Sequence, residues 1–499
     1  MRVANIVMSV LLGLSVAGPV GSADTPAVDV YRYALQRALK QVSQEEFADA
    51  YPALLGVIRS PVFGQLKSAE QHWALFVAGV VALDLKKPAE AHPLLVRACA
   101  MSEANGGDWV ARLQAARQMD LREDMVRSLT QIARGWPKSL DELIYQIVTQ
   151  TVSYAHHLPG GAAPLHDLLD ALYTAKWTFP ENVQPSHMWR DLAALEIDRQ
   201  QFARAKEVVS RITAPHVVIG MRIDRRFDRL RGSVPKYFDV DAASKNELAM
   251  LRATVQRSPR SMMAVIQLTY SQLGAGLYEE ALATSNEVLR KIEAAPRTPP
   301  YDDMDKVNWI YDNRARALAG LQRWSDAEKE IRAAADRKEN GGRNTSNVIN
   351  LAWFYAEAGR SDEALATLVD VGDMSNFGMM QMHGVRYAAA LQKNDTEIAN
   401  ESLAYLVEHR NDALETWQWT LVRANRLDEA AALLIQRLRD PVLRGDALYD
   451  LQDYGNPPPQ AQRAIWNERW RRIRDRPDVR RAIDAVGRIE KFRIPSSPS

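Results

Sequence analysis

Cysteine is almost missing from this chain: Cys99 is the only one in 499 residues. One thiol cannot close an internal disulfide, so no covalent staple holds the fold. Set between Ala98 and Ala100 in a helical pattern, Cys99 reads as a small core residue. An excess of one charge is missing too. Lys and Arg number 63 against 62 Asp and Glu, a net charge of +1. That balance excludes a polyanion-binding surface spread over the whole molecule, and no nucleic-acid partner is expected. Beyond the first residues no apolar run is long enough to span a bilayer, so no transmembrane helix is expected in the mature chain. Motifs of chemistry are absent as well: there is no nucleophile elbow, phosphate-binding glycine loop, zinc-protease helix motif or dinucleotide fingerprint. Acidic pairs such as Glu279 and Glu280 fall on solvent faces of helices. The expectation is a protein with no catalytic residues, no metal and no cofactor.

The first 23 residues read as a secretory signal peptide. Arg2 supplies a positive start, Ile6 to Ala17 is apolar, and Gly21-Ser22-Ala23 offers small residues for cleavage before Asp24. The expected location is therefore the periplasm or the outside of the cell. The remainder, with 46% hydrophobic residues and only 25 Gly and 24 Pro, has the composition of a folded helical protein.

The most regular stretch runs from Met262 to Pro296. Val265, Leu268 and Leu273 share one face of a first helix, and Gly276 stands where a residue without a Cβ ends it. A second helix follows from Tyr278, with Ala281, Val288 and Leu289 inward. The small Ala281 lets the two helices approach, and Tyr278 fills the wedge beside it. The same pairing returns as Trp324 with Ala327, Gly359 with Ala364, Asn394 with Ala399 and Leu427 with Ala430. The marker alanines 281, 327, 364, 399 and 430 are separated by 46, 37, 35 and 31 residues, the longest interval containing the inserted Pro296-Arg297-Thr298-Pro299-Pro300. This pattern resembles the tetratricopeptide repeat (TPR), a two-helix unit of about 34 residues. The resemblance implies an all-α, right-handed α-solenoid of stacked antiparallel helix pairs, a TPR-like superhelix. Each pair buries its faces only against its neighbours.

Read in order, the chain gives a signal peptide (1–23), degenerate TPR-like repeats (24–214), a charged connecting segment (215–245), clearer TPR-like repeats (246–440), and C-terminal capping helices with a tail (441–499). The connector is the charge-dense run Met221 to Gly232 followed by Pro235-Lys236-Tyr237-Phe238. The cap carries Trp466 and Trp470 among arginines. Between Arg463 and Arg493 it holds 11 Lys/Arg and 5 Asp/Glu, an excess of +6 that suits an acidic partner or anionic headgroups at a membrane surface.

In TPR domains the first helix of each pair lines a concave groove that binds a peptide or protein. Carried over by register, the resemblance makes Tyr270, Asp312, Arg316, Trp353 and Trp419 the groove candidates. Aromatic and arginine side chains are the commonest anchors of interfaces. The function this implies is a non-enzymatic scaffold or adaptor in the bacterial cell envelope. One alternative is an accessory subunit of an envelope export or assembly machine, for polysaccharide or outer-membrane proteins. Another is periplasmic copper handling through Met379, Met380, Met382 and His383 with Met374 nearby, since thioethers and imidazole suit Cu(I). His156, His157 and His166 straddle a Pro-Gly-Gly turn without acidic or thiol company and read as loop and helix-end residues. Export from a Gram-negative host followed by N-terminal sequencing is expected to give Asp24 as the first residue; retention of Met1 would remove the signal-peptide reading.

Overall fold

The computed structural model describes residues 26–158, 162–295, 297–339, 341–372 and 374–496. The segment read as a signal peptide, the Pro-Gly-Gly turn at 159–161 and Pro296 lie outside the described residues. The chain divides into two compact units, Met1–Val183 and Gln184–Ser499.

The first unit runs through α1 (Pro26–Ser43), α2 (Phe47–Ile58), α3 (Ser68–Asp84), α4 (Pro88–Cys99), α5 (Gly106–Gln118), α6 (Arg122–Gly135), α7 (Tyr145–Ala155) and α8 (Ala162–Thr174). Each helix through α6 packs on the next, and α6 then meets both α7 and α8. Local chemistry sets the starts. Pro88 occupies the first turn of α4, where its missing N–H has no partner to lose. Asn105 caps α5, its side chain accepting from the Gly107 N–H at 2.8 Å, while Asp108 accepts from the Asn105 N–H at 2.9 Å. The other oxygen of Asp108 meets His72 of α3 at 2.7 Å, both fully buried, so one cap also joins two helices.

The second unit continues with α9 (Ser186–Asp198), α10 (Phe202–Val209), α11 (Pro215–Ile223), α12 (Asp228–Ser233), α13 (Val240–Arg257), α14 (Met262–Gly274), α15 (Tyr278–Ala294), α16 (Val307–Gly320) and α17 (Trp324–Ala335). A two-residue hairpin, β1 (Lys338–Glu339) and β2 (Gly342–Arg343), precedes α18 (Thr345–Glu357), α19 (Ser361–Thr367), α20 (Asn376–Lys393), α21 (Thr396–Glu408), α22 (Leu414–Arg423) and α23 (Leu427–Arg439). Last come α24 (Arg444–Tyr449), α25 (Ala461–Arg474) and α26 (Pro477–Val486). First helices of successive pairs touch: α14 with α16, α18 with α20, α20 with α22. No described helix is long and apolar enough to cross a membrane.

One turn geometry recurs. Between paired helices a residue sits in the left-handed region: Glu45, Lys86 and Asp120 in the first unit, and Gln200, Gly276, Gln322, Gly359, Asn394 and Asn425 in the second. Two residues later the second helix begins. The intervening N–H reaches back five residues to a carbonyl of the first helix, as in Lys87 to Ala82 at 2.8 Å, Leu277 to Gln272 at 2.9 Å and Arg426 to Leu421 at 2.9 Å. This is the Schellman closure. Three residues into the second helix stands the close-approach position: Ala50, Ala91, Ala205, Ala281, Ala327, Ala364 and Ala430 are each 0% exposed. The degenerate first half thus carries the same hairpin as the clearer one.

The charged stretch 215–245, expected to connect two halves, lies inside the second unit and helps to close it. α11 packs on α24. The Arg190 guanidinium bonds Asp446 at 3.0 Å across 256 residues. Arg226 donates to the Pro441 carbonyl at 2.9 Å, and Arg222 and Arg231 hold Glu490 at 2.8 and 3.2 Å. Asp224 pairs with Gly487 in an isolated bridge, where a Cβ on Gly487 would fall 2.7 Å from the Ile223 carbonyl oxygen.

Between hairpins the contacts are equally tight. A Cβ on Gly320 would lie 2.5 Å from the Tyr278 ring, whose burial the pattern anticipates. Gly320→Ala is expected to cost about 1–3 kcal/mol in urea unfolding by overpacking. Adding Tyr278→Ala should restore part of that loss; purely additive costs would show that the two do not share the contact.

Candidate functional site

The sequence candidates converge on the first helices of the second unit. Asp312, on α16, is 1% exposed and serves as an internal hub. It accepts from Asn347 Nδ2 at 3.2 Å and Asn350 Nδ2 at 3.0 Å on α18, and pairs with Arg316 Nε at 2.6 Å. Burial works against the Arg316 charge, but the Asp312 carboxylate more than offsets it and holds the guanidinium pKa above its ordinary value. Asp312 is therefore a residue that positions Arg316 and the neighbouring asparagines. Tyr270, on α14, is 40% exposed, and its phenol lies within electrostatic reach of Arg316.

Trp353 (α18) and Trp419 (α22) are half-buried, and the chain itself covers them. The Trp353 ring meets Trp466 of α25 edge-on, with centroids 6.4 Å apart at 86°, and its Nε1 donates to Gln381 Oε1 at 3.3 Å. Trp419 stacks on Trp470 with centroids 5.2 Å apart at 26°. Arg423 lies among the indoles, 4.1 Å from Trp353, 5.0 Å from Trp466 and 5.7 Å from Trp419. Burial first, then the nearby Arg463 charge, lowers the pKa of Arg423, with Glu357 and Glu415 opposing. Arg463 pairs with Glu357 at 2.8 Å and lies 5.0 Å over Trp419. The segment read as a terminal cap thus does two things: α26 packs on the last repeat helix, α23, while α25 lies across α18, α22 and α23.

Several of the basic residues near the C-terminus pair within the chain. Arg474 meets Asp453 at 2.6 Å, Arg476 meets Asp478 at 3.1 Å and Asp428, and Arg488 is held by Asp228. Arg469 donates to the Val422 carbonyl at 3.3 Å.

Beside this lies an acidic cluster of Glu415, Asp446 and Asp450, with Arg190 paired to Asp446 at 3.0 Å and Arg437 to Asp450 at 3.3 Å. The Asp446 side chain is 65% exposed and Glu415 is exposed, yet surrounding protein strips part of their hydration. Burial, then the Glu415 charge, raises the Asp450 carboxyl far above the ordinary range, with Arg437 opposing at 3.3 Å. His187 and His216 meet with ring nitrogens 3.1 Å apart, and desolvation lowers both pKa values, keeping the pair neutral.

The remaining candidates are placed by packing. Met380 is fully buried, Met374 and Met382 pack against the apolar cluster around Tyr355 and Val385, and His383 stacks on Tyr405 at 4.2 Å. His156 and His157 have ring centroids 6.5 Å apart, and His166 lies 3.5 Å from Asp167. Among the described residues no three His, Cys, Asp or Glu side chains are grouped to hold a metal ion. Burial pushes the Cys99 thiol up to about 12, so it stays protonated.

No protein-family model and no curated protein sequence matches the chain. Solved structures with a similar fold include a tetratricopeptide repeat protein from Parabacteroides merdae (11% identity, TM-score 0.32, 65% of this chain and 98% of that one). The anaphase-promoting-complex hetero-tetramer Cut9–Hcn1 matches at 12% identity and TM-score 0.34 over 96% of this chain and 82% of that one. Yeast Tom70 matches at 10% identity and TM-score 0.29 over 91% and 99%. At these scores the likenesses say nothing about binding, and the architecture rests on the recurring hairpin. The fold is TPR-like. Within this TPR-like array, sequence reasoning missed Arg423, Glu357, Arg463 and the role of Trp466 and Trp470. The two tryptophans four residues apart were the available signal, and a cap explains that spacing equally well.

Raised in the folded state, the Asp450 pKa makes the native protein bind more protons than the unfolded chain above the unfolded value of 3.8, so its contribution to stability is lost as pH rises. The urea midpoint of the wild type is expected to fall from about pH 5 to about pH 8 more steeply than that of Asp450→Asn. Equal slopes would show that Asp450 titrates normally.

Proposed function

We propose that this chain is a non-enzymatic scaffold of the bacterial cell envelope that holds a peptide or protein partner on the inward face of its second unit. The observation that supports the reading is that Tyr270, Arg316, Trp353 and Trp419 all stand on first helices of hairpins, α14, α16, α18 and α22. The second helices carry exposed i,i+3 ion pairs, such as Arg290 with Glu287 on α15 and Arg323 with Asp326 at the start of α17. Aromatic and arginine side chains held in a recess by a stiff stack lose little entropy on binding, which suits them to anchoring a partner. The envelope location is supported by Arg2, the apolar run Ile6 to Ala17 and the small residues Gly21 to Ala23.

Crosslinking of the exported chain in envelope extract, read by mass spectrometry, is expected to yield one or two dominant partners. Tyr270→Ala with Arg316→Lys should remove them while the helical circular dichroism persists. Lysine keeps a charge beside Asp312 but loses the planar fork of donors. Retention of the same partners by the double variant would overturn the assignment of the inward face. A set of co-purifying membrane components would favour membership of an export or assembly machine.

A further inference from the structure

A helix lying on the inside of a repeat array is chemically a ligand that is covalently attached. α25 meets the second unit through Arg463, Trp466, Trp470 and Ile473, spaced three, four and three residues apart and hence on one side of the helix. Trp466, Trp470 and Ile473 are 1%, 7% and 0% exposed, whereas Ile465 on the other side is 47% exposed. The receiving surface supplies a partner for each polar or aromatic member: Glu357 for Arg463, Trp353 for Trp466 and Trp419 for Trp470.

Two observations separate this seat from ordinary core. The link from α24 to α25 ends in Pro457-Pro458-Pro459, outside any helix and without an N–H of its own, while before it the Asp453 and Gly455 N–H groups donate to the Glu490 and Ile494 carbonyls of the tail at 3.2 and 3.1 Å. The fit is also incomplete. Arg423 is 9% exposed, and its Nε has no hydrogen-bond partner among the described residues; α25 offers it only the Trp466 indole, beside Trp353 and Trp419 of the receiving helices. A buried charged donor left unanswered by its cover is one that a different cover could satisfy.

We propose that the surface formed by Trp353, Trp419 and Arg423 is a docking site for an amphipathic helix of a partner protein. That helix carries two aromatic residues one turn apart, a basic residue one turn before them to meet Glu357, and an acceptor for Arg423. α25 is the intramolecular competitor that fills the seat in its absence. This rests on the scaffold reading above and names its partner class and its regulation. A tethered competitor acts at the effective concentration set by its linker, so an incoming helix binds in proportion to the fraction of seats that are open.

The test uses the full chain with a protease site replacing Pro457-Pro458-Pro459, purified folded and then cut, so that residues 460–499 are held without a covalent link. The probe is a fluorescent synthetic peptide of residues 460–499. The cut protein is expected to take up the peptide at least ~10-fold more tightly than the uncut protein, with the helical circular dichroism of the array retained. Glu357→Lys should weaken uptake, and a peptide carrying Arg463→Glu should restore it. Failure to exchange after cutting, or collapse of the helical signal when the arm leaves, would make α25 part of the core and overturn the proposal. A dimer of the uncut chain in light scattering, with arms exchanged between copies, would assign the seat to self-association and overturn it equally. Because the probe is the chain's own helix, these outcomes are read without any outside partner, and the capture experiment on envelope extract stands or falls separately.

Discussion

Each hairpin is closed by a backbone hydrogen bond that reaches back five residues across a single left-handed residue, and the remaining architecture follows from it. The bond ends the first helix by satisfying a carbonyl that would otherwise be orphaned. It also sets the second helix antiparallel to the first and turns its fourth residue into the gap. A small side chain fills it in most hairpins, the buried alanines at 50, 91, 205, 281, 327, 364 and 430, while Met125 takes the position in α6 and Ala399, 9% exposed, in α21. A non-glycine residue in the left-handed region costs roughly 1–2 kcal/mol. The recovered hydrogen bond, at about 0.5–1.5 kcal/mol, and the packing beneath it offset that cost. Lys86 and Gln322 can therefore stand where glycine is conformationally easier.

Stacking such hairpins yields inner and outer faces, but in the second unit it also brings distant segments together. Arginine does the joining. Arg190 spans Asp191 and Asp446, Arg226 spans Asp224 and the Pro441 carbonyl, and Arg222 and Arg231 share Glu490. A guanidinium offers five donors in a fixed plane, so one side chain can satisfy groups from two segments at once. Removing either partner of such a pair leaves a desolvated charge behind. Gly487 completes the closure, because any side chain there would strike Leu448 and the Ile223 carbonyl.

Closure and occupation give the inward surface its character. The Asp312 hub and the Trp353–Arg423–Trp419 cluster are contiguous through Arg316, Glu357 and Arg423, which feel one another's charge. One part of this strip, around Tyr270, is open, and the other lies beneath α25. On the proposed scaffold reading, covering of part of this surface by α25 would give two levels of affinity, set by whether that helix is seated.

What the sequence determined by itself was the local unit. Gly276, Ala281 and their counterparts to Ala430 announce helix hairpins because periodicity and turn chemistry are written within some 35 residues. In the earlier half the same turns were harder to see, since Glu45, Lys86, Asp120 and Gln200 occupy the left-handed position without the residue type that signals it. Tyr270, Arg316, Trp353 and Trp419 could be placed on first helices by register alone, although Asp312 proved to be an internal support. Only the tertiary structure decided which faces meet at long range. It turned the charged run after Met221 into a closing surface and laid Trp466 and Trp470 on the repeats. Such contacts depend on the summed rotation of many stacked hairpins, and a small difference in each pair redirects the distant end. No short stretch of sequence contains that sum.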